Sequence, residues 1–169
     1  MNDECSVILL EEKDTGLIFE LITQKKIRKE QPFVEYINGC INFDDYYSQK
    51  SIRLRKINFQ EEWVVFKGSN HDVLGFVSFN IKYFSPVLII NLIFFYKNNI
   101  PQFINGFKKA IEILKKNIVF EFTKIRISVS DKEYEFMSSI LSELGFYIEA
   151  RRRSEGDYSK QYIDYVLLL

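Results

Sequence analysis

Histidine occurs once in this sequence and cysteine twice, and each scarcity removes a class of chemistry. Cys5 and Cys40 form no CxxC, and with His71 they are too few to make a zinc site. The same three residues give no convincing Ser/His/Asp or Cys/His nucleophile set, so metal and covalent catalysis are not expected. His71 lies in the turn-like "GSNHD" and reads as an exposed turn residue. A disulfide between the two cysteines has no supporting pattern, and a reducing, cytoplasmic setting is the expectation. Charge of one sign is not in excess either: Lys+Arg and Asp+Glu each total 23. That balance points to neither nucleic acid nor an anionic membrane as partner. The longest apolar run, "PVLIINLIFFY", is too short for a membrane helix and contains Asn91. The acidic start "MNDECSVILLEEKD" does not read as a signal peptide. Glycine and proline are sparse, at seven and three, and no linker, repeat, P-loop or GxGxxG is found.

What is present is core material. Hydrophobic residues make up 47% and aromatics 16% of 169 residues, enough for one well-packed domain. "SVILLEE" reads as a first strand, and "DTGLIFELITQKK" carries Leu17, Leu21 and Ile22 at helical spacing. "QPFVEYINGCINFDDYYSQK" reads as a further helical piece, with Pro32 suited to a first turn. "SIRLRKINF" stays open between strand and loop. "EEWVVFK" and "VLGFVSFNIKY" predict a hairpin, the second strand turning Val77, Phe79 and Ile81 to one face. "VLIINLIFFY" is apolar on both faces, as a central strand covered by helices is. Ile104, Phe107, Ile111, Leu114 and Ile118 then step by three and four along a helix.

"KIRISV" alternates as a strand, and "SDKE" has the capping-box spacing for the next helix. That helix buries Met137, Ile140, Leu141 and Leu144 and stops at Gly145. "FYIEARRR" and "QYIDYVLLL" are the last two strands. Arg151, Arg152 and Arg153 read first as a charged edge, which discourages edge pairing, with contact to an anionic ligand as the alternative. Glu61 and Glu62 read first as the solvated start of their strand, and alternatively as carboxylates lining a pocket for an amine. The sum is a mixed, mostly antiparallel sheet of six or seven strands with helices on both faces. One parallel β-α-β crossover joins Val87 to Val129.

This order, with "LSELGFYIEARRR" followed by "YIDYVLLL", resembles the GNAT family of acyl-CoA-dependent N-acyltransferases. Leu144, Gly145, Phe146, Asp164 and the terminal leucines match its ending. The resemblance implies a single domain over 1–169. Residues 1–60 would supply the first strand and acceptor-side helices, 61–129 the hairpin, central strand and cofactor-side helix, and 130–169 the last helix and hairpin. It implies an acyl-CoA-dependent N-acyltransferase that moves acetyl from acetyl-CoA to a primary amine by direct attack on the thioester. The alternative is a catalytically inactive GNAT-fold binding or regulatory module. Cofactor contacts would come from the backbone of Phe94, Phe95 and Tyr96 and from the helix start at Asn98, Asn99, Ile100, Gln102 and Phe103. Acceptor contacts would come from Asn91, Asp44, Asp45 and Tyr158, since carboxylates beside phenols suit a cationic amine. Tyr96 and Tyr134 are the candidate proton carriers. No metal is implied, and the expected assembly is a monomer or homodimer.

Two departures stand out. The family's phosphate loop reads Q/R-x-x-G-x-G/A, but counting from Gln102 puts Asn105 and Phe107 at the small positions, with Gly106 out of phase. Pro101 also removes one backbone donor. Where the family carries its acidic tyrosine, this sequence has Leu141, and Tyr134 takes the family's asparagine position.

Overall fold

The computed structural model describes residues 5–23, 33–35, 48–58, 61–69, 73–81, 85–118, 121–153 and 161–169. Its strands are β1 (Ser6–Leu9), β2 (Phe33–Glu35), β3 (Glu61–Lys67), β4 (Val73–Asn80), β5 (Val87–Phe95), β6 (Lys124–Ser130), β7 (Tyr147–Arg153) and β8 (Gln161–Leu168). The α-helices are α1 (Thr15–Thr23), α2 (Gln49–Ile57), α3 (Ile100–Asn117) and α4 (Asp131–Glu143). One sheet runs β1-β3-β4-β5-β6-β8-β7, with β2 placed off that path beside β5. Among the described residues only β5 and β6 pair in parallel, joined through α3. The expected mixed sheet and its single crossover are therefore present, and the three-residue β2 makes the strand number eight.

Strand alternation divides the core into two layers. Val64, Phe66, Val77, Phe79, Ile93 and Phe95 face α3 and α4, meeting Phe103, Phe107, Ala110 and Met137. Trp63, Val65, Phe76, Leu92 and Phe94 face the other way, onto Ile18 of α1 and Ile52 of α2. Helices thus cover both faces.

Local chemistry fixes the ends of α4. Ser130 and Glu133 close a reciprocal capping box at its start. At its end Phe146 N–H donates to Leu141 C=O at 2.8 Å and Gly145 N–H to Ser142 C=O at 3.0 Å. Gly145 makes this turn at φ +88°, a conformation that costs glycine little.

Three expectations need correction. Residues 33–35 form a strand rather than part of a helix, because β5 offers them an open edge. "SIRLRKINF" lies mostly within α2, whose N-cap Ser48 accepts from Ser51 N–H. Its stripe was hard to read because only Ile52 is buried, while Leu54 and Ile57 are exposed. Glu61, expected in solvent, is fully buried.

Candidate active site

The two parallel strands part company early. β5 and β6 are in register only at Val87–Lys124, Leu88–Ile125 and Ile89–Arg126. Beyond that point, among the described residues, β6 pairs with β8, while β5 continues along β4 to Phe95 and pairs on its other edge with the three residues of β2. At the closed end Pro86 C=O accepts from both Thr123 and Lys124 N–H, at 2.9 and 3.2 Å, which pins the two strands together. A wedge therefore opens beside Ile90–Phe95. A bulge in β5 sits at its apex: Ser78 faces Leu92 and Phe79 faces Ile90, so Asn91 has no partner on β4. The bulge turns Asn91 and Leu92 to the same face, the one covered by α1 and α2.

Buried polar groups gather on that face. Asn91 Nδ2 donates to Glu61 Oε1 at 3.1 Å, and Arg55 Nε donates to Glu61 Oε2 at 2.6 Å. The Glu61 and Arg55 side chains are 1% and 15% exposed. Lys56, next along α2, pairs with Glu62. The last turn of α2 thus delivers two cations to the first two residues of β3, where the helix dipole also favours positive charge. Sequence reasoning placed Glu61 and Glu62 in water because the helix carrying their partners was not recognised. The readable signal was the Arg-Lys pair six residues upstream of Glu-Glu.

On the other flank of the wedge, Ser128 of β6 donates to Asp164 Oδ1 at 2.5 Å. Arg152 Nε reaches Asp164 Oδ2 at 2.9 Å. Arg152 is therefore the inward member of the arginine run; Arg151 and Arg153 are exposed, as the charged-edge reading expected.

At the mouth of the wedge a single 3-10 turn, Lys97–Asn99, leads into α3. Tyr96 and Asn99 are half-buried and Asn98 is exposed. The Phe103 ring points into the core, stacked on Phe95 at 4.3 Å and edge-on to Phe66 at 5.3 Å. Phe136 of α4 stacks on the same Phe95 at 5.9 Å. These rings close the α3/α4 side of the wedge.

No family model matches this sequence, and no curated protein does. Solved structures do match. A spermidine N-acetyltransferase from Vibrio cholerae, determined in complex with CoA and spermine, superposes with TM-score 0.66 at 17% identity, over 97% of this chain and 95% of that one. A ribosomal-protein-S5-alanine acetyltransferase from Vibrio fischeri superposes with TM-score 0.69 at 13% identity, over 99% and 94%. The chain has the GNAT fold.

Within the GNAT fold the sequence candidates separate. Phe94, Phe95 and Tyr96 end the strand beside the wedge, and Asn98, Asn99, Ile100, Gln102 and Phe103 form the turn and first helical residues at its mouth. Asn91 lies at the apex. These residues come together, but the Phe103 ring faces the core and its backbone is bonded within α3. Tyr96 packs edge-on against Phe94 at 5.2 Å, on the α1/α2 side. Tyr134 sits elsewhere. Arg151 of β7 lies over its ring at 5.7 Å, so Tyr134 covers the β7/β8 flank while Phe136 takes the side toward β5. Tyr165 of β8 shares that flank. Its buried phenol has no hydrogen-bond partner among the described residues, and burial, followed by nearby Tyr134, pushes its pKa up. Leu141 is fully buried. Asp44, Asp45, Tyr158 and His71 lie outside the described residues.

Gly106 serves packing. A Cβ there would lie 2.7 Å from Phe66 Cδ1 and 3.1 Å from the Sγ of buried Cys5. Gly106→Ala gains about 1 kcal/mol of helix propensity but must displace a ring held in the core, at a typical cost of about 1–3 kcal/mol. A net loss of stability is expected by denaturant titration, with any acetyl-CoA affinity of the folded protein unchanged.

Proposed function

We propose that the chain is an acyl-CoA-dependent N-acyltransferase that transfers acetyl from acetyl-CoA to a primary amine. The observation that carries this reading is the parting of β5 from β6 after three residue pairs, with the bulge at Asn91 at the apex. Parallel neighbours in a sheet normally stay paired, because unpaired edge amides and carbonyls are costly to bury. Here that edge of β5 is held by the three residues of β2, and a ligand with amide groups of its own, such as pantetheine, would make the same bonds.

Acyl-CoA, when bound, supplies an acyl thioester. The chain's contributions follow from the geometry. The edge of β5 at Leu92–Phe94, paired here with β2, is the one an extended ligand would use. The first-turn amides of α3 have no partner one helical turn back and face a dipole that favours anions; Pro101 removes one and Asn99 N–H donates to Tyr96 C=O, leaving Ile100 and Gln102. Amides freed from the ladder by the bulge at Asn91 are the candidate donors for an oxyanion. Glu61 fixes the Asn91 carboxamide on the acceptor side. Neither phenol lies at the bulge: Tyr134 is turned toward β7 and β8, and Tyr96 is five residues further along the chain, at the mouth of the wedge.

Two observations favour a second reading, a GNAT-fold module without transfer activity: Leu141 stands buried where the family has its acid, and β2 lies along β5 within the wedge. A melting experiment with an amine panel separates the two. Acetyl-CoA at one hundred times its dissociation constant stabilises the folded state by about 2.7 kcal/mol, roughly 5–10 °C for a chain of this size. Stabilisation together with thiol release on adding polyamines or peptide amines is the expected result. Stabilisation without thiol release supports the second reading. No stabilisation by CoA or acetyl-CoA overturns the acyl-CoA assignment.

A further inference from the structure

β2 is inserted where the sheet opens. Phe33, Val34 and Glu35 pair antiparallel with Phe94, Ile93 and Leu92 of β5. Those same β5 residues pair on their other side with Phe76, Val77 and Ser78 of β4. A strand has two hydrogen-bonding edges, so β2 must hold the edge that faces β6, and it lies against β6 as well. That edge is the one left open when β5 and β6 separate.

We propose that β2 is a built-in occupant of the acyl-CoA slot, holding through its backbone the Leu92–Phe94 edge that a pantetheine arm needs, so that cofactor binding requires β2 to leave. The inference rests on the acyl-CoA reading of the wedge. Its physical basis is satisfaction of the β5 edge: with the slot empty, buried N–H and C=O groups need partners, and an extended backbone supplies them. Among the described residues the pairing is three residues long, against five or six for a usual strand, and a short ladder is the easier to displace. Pro32 has no N–H, which limits extension of the ladder on that side. β2 is tethered at both ends, through residues 24–32 to α1 and 36–48 to α2, so it competes as an intramolecular ligand at an effective concentration set by the chain. Cofactor affinity is then lowered by the fraction of molecules in which the edge is free.

The test compares wild type with Val34→Pro, which removes a backbone donor from the middle of β2 without touching β5. Acetyl-CoA affinity is measured by titration calorimetry on the full chain. A tightening of about tenfold is expected, the factor for an edge free in about a tenth of molecules. Hydrogen exchange on the wild-type protein gives a readout independent of the variant's folding: saturating acetyl-CoA should speed exchange at residues 33–35 while residues 92–94 stay protected. Equal affinity in the two proteins, or bound acetyl-CoA with exchange at 33–35 unchanged, overturns the inference and leaves the acyl-CoA reading intact. Binding in neither protein sinks the acyl-CoA reading and this inference with it.

Discussion

Glu61→Ala lowers the stability of the protein by about 3–5 kcal/mol, the usual cost of removing one partner from a buried ion pair. For a chain of this length the melting temperature falls by roughly 10 °C or more. The carboxylate is 1% exposed and holds two groups at once, Arg55 Nε at 2.6 Å and Asn91 Nδ2 at 3.1 Å. Alanine takes the carboxylate from a guanidinium that is itself only 15% exposed, and takes the acceptor from a carboxamide at the sheet bulge. The contrast is Arg55→Met with Glu61→Leu. That double variant removes both charges at similar volume and is expected to lie within about 1–2 kcal/mol of wild type, because desolvating the pair already offsets most of its attraction. A loss below about 1 kcal/mol for Glu61→Ala would mean that the pair is solvated and the site at the apex is not built as described.

Much of this fold can be read along the chain because its signals are local. "KIRISV" alternates with the period of a strand, "EEWVVFK" and "QYIDYVLLL" carry short apolar runs of strand length, and the α3 stripe follows the period of a helix. The capping box at Ser130–Glu133 and the stop at Gly145 are short-range chemistry, and both hold in the structure. What stayed hidden depends on partners far away in sequence. β2 exists because β5 has an open edge some sixty residues on, and nothing inside "QPFVEYIN" states that. α2 buries one apolar side chain and spends its basic residues on β3, so its hydrophobic period is faint.

The candidate site divides in the same way. Asn91 was visible as a lone polar residue inside an apolar run, and it marks the bulge. Glu61 was not, because its burial depends on cations that arrive from another element. Counting along the family pattern gives Tyr134 only the asparagine position, and it was a candidate as a phenol at the helix start; that its ring lies under Arg151 is tertiary information.

Phe103→Ala is the second large effect expected, a loss of about 3–5 kcal/mol typical of emptying a buried aromatic site. The ring is 1% exposed and sits among Phe95, Phe66 and Phe107, at 4.3, 5.3 and 6.0 Å between centroids. It ties the first turn of α3 to the end of β5, the two backbone segments on which cofactor binding depends in the proposed function. The measurement is denaturant unfolding, with the midpoint falling and the slope unchanged. Phe103→Leu keeps most of the volume and is expected to lose about 1–1.5 kcal/mol. If Phe103 serves the cofactor only by anchoring the helix start, Phe103→Leu binds acetyl-CoA as wild type does, while Phe103→Ala binds more weakly because that anchor is lost. Weakened binding in the leucine variant at near-normal stability would instead assign the ring itself to the ligand, against its position in the core.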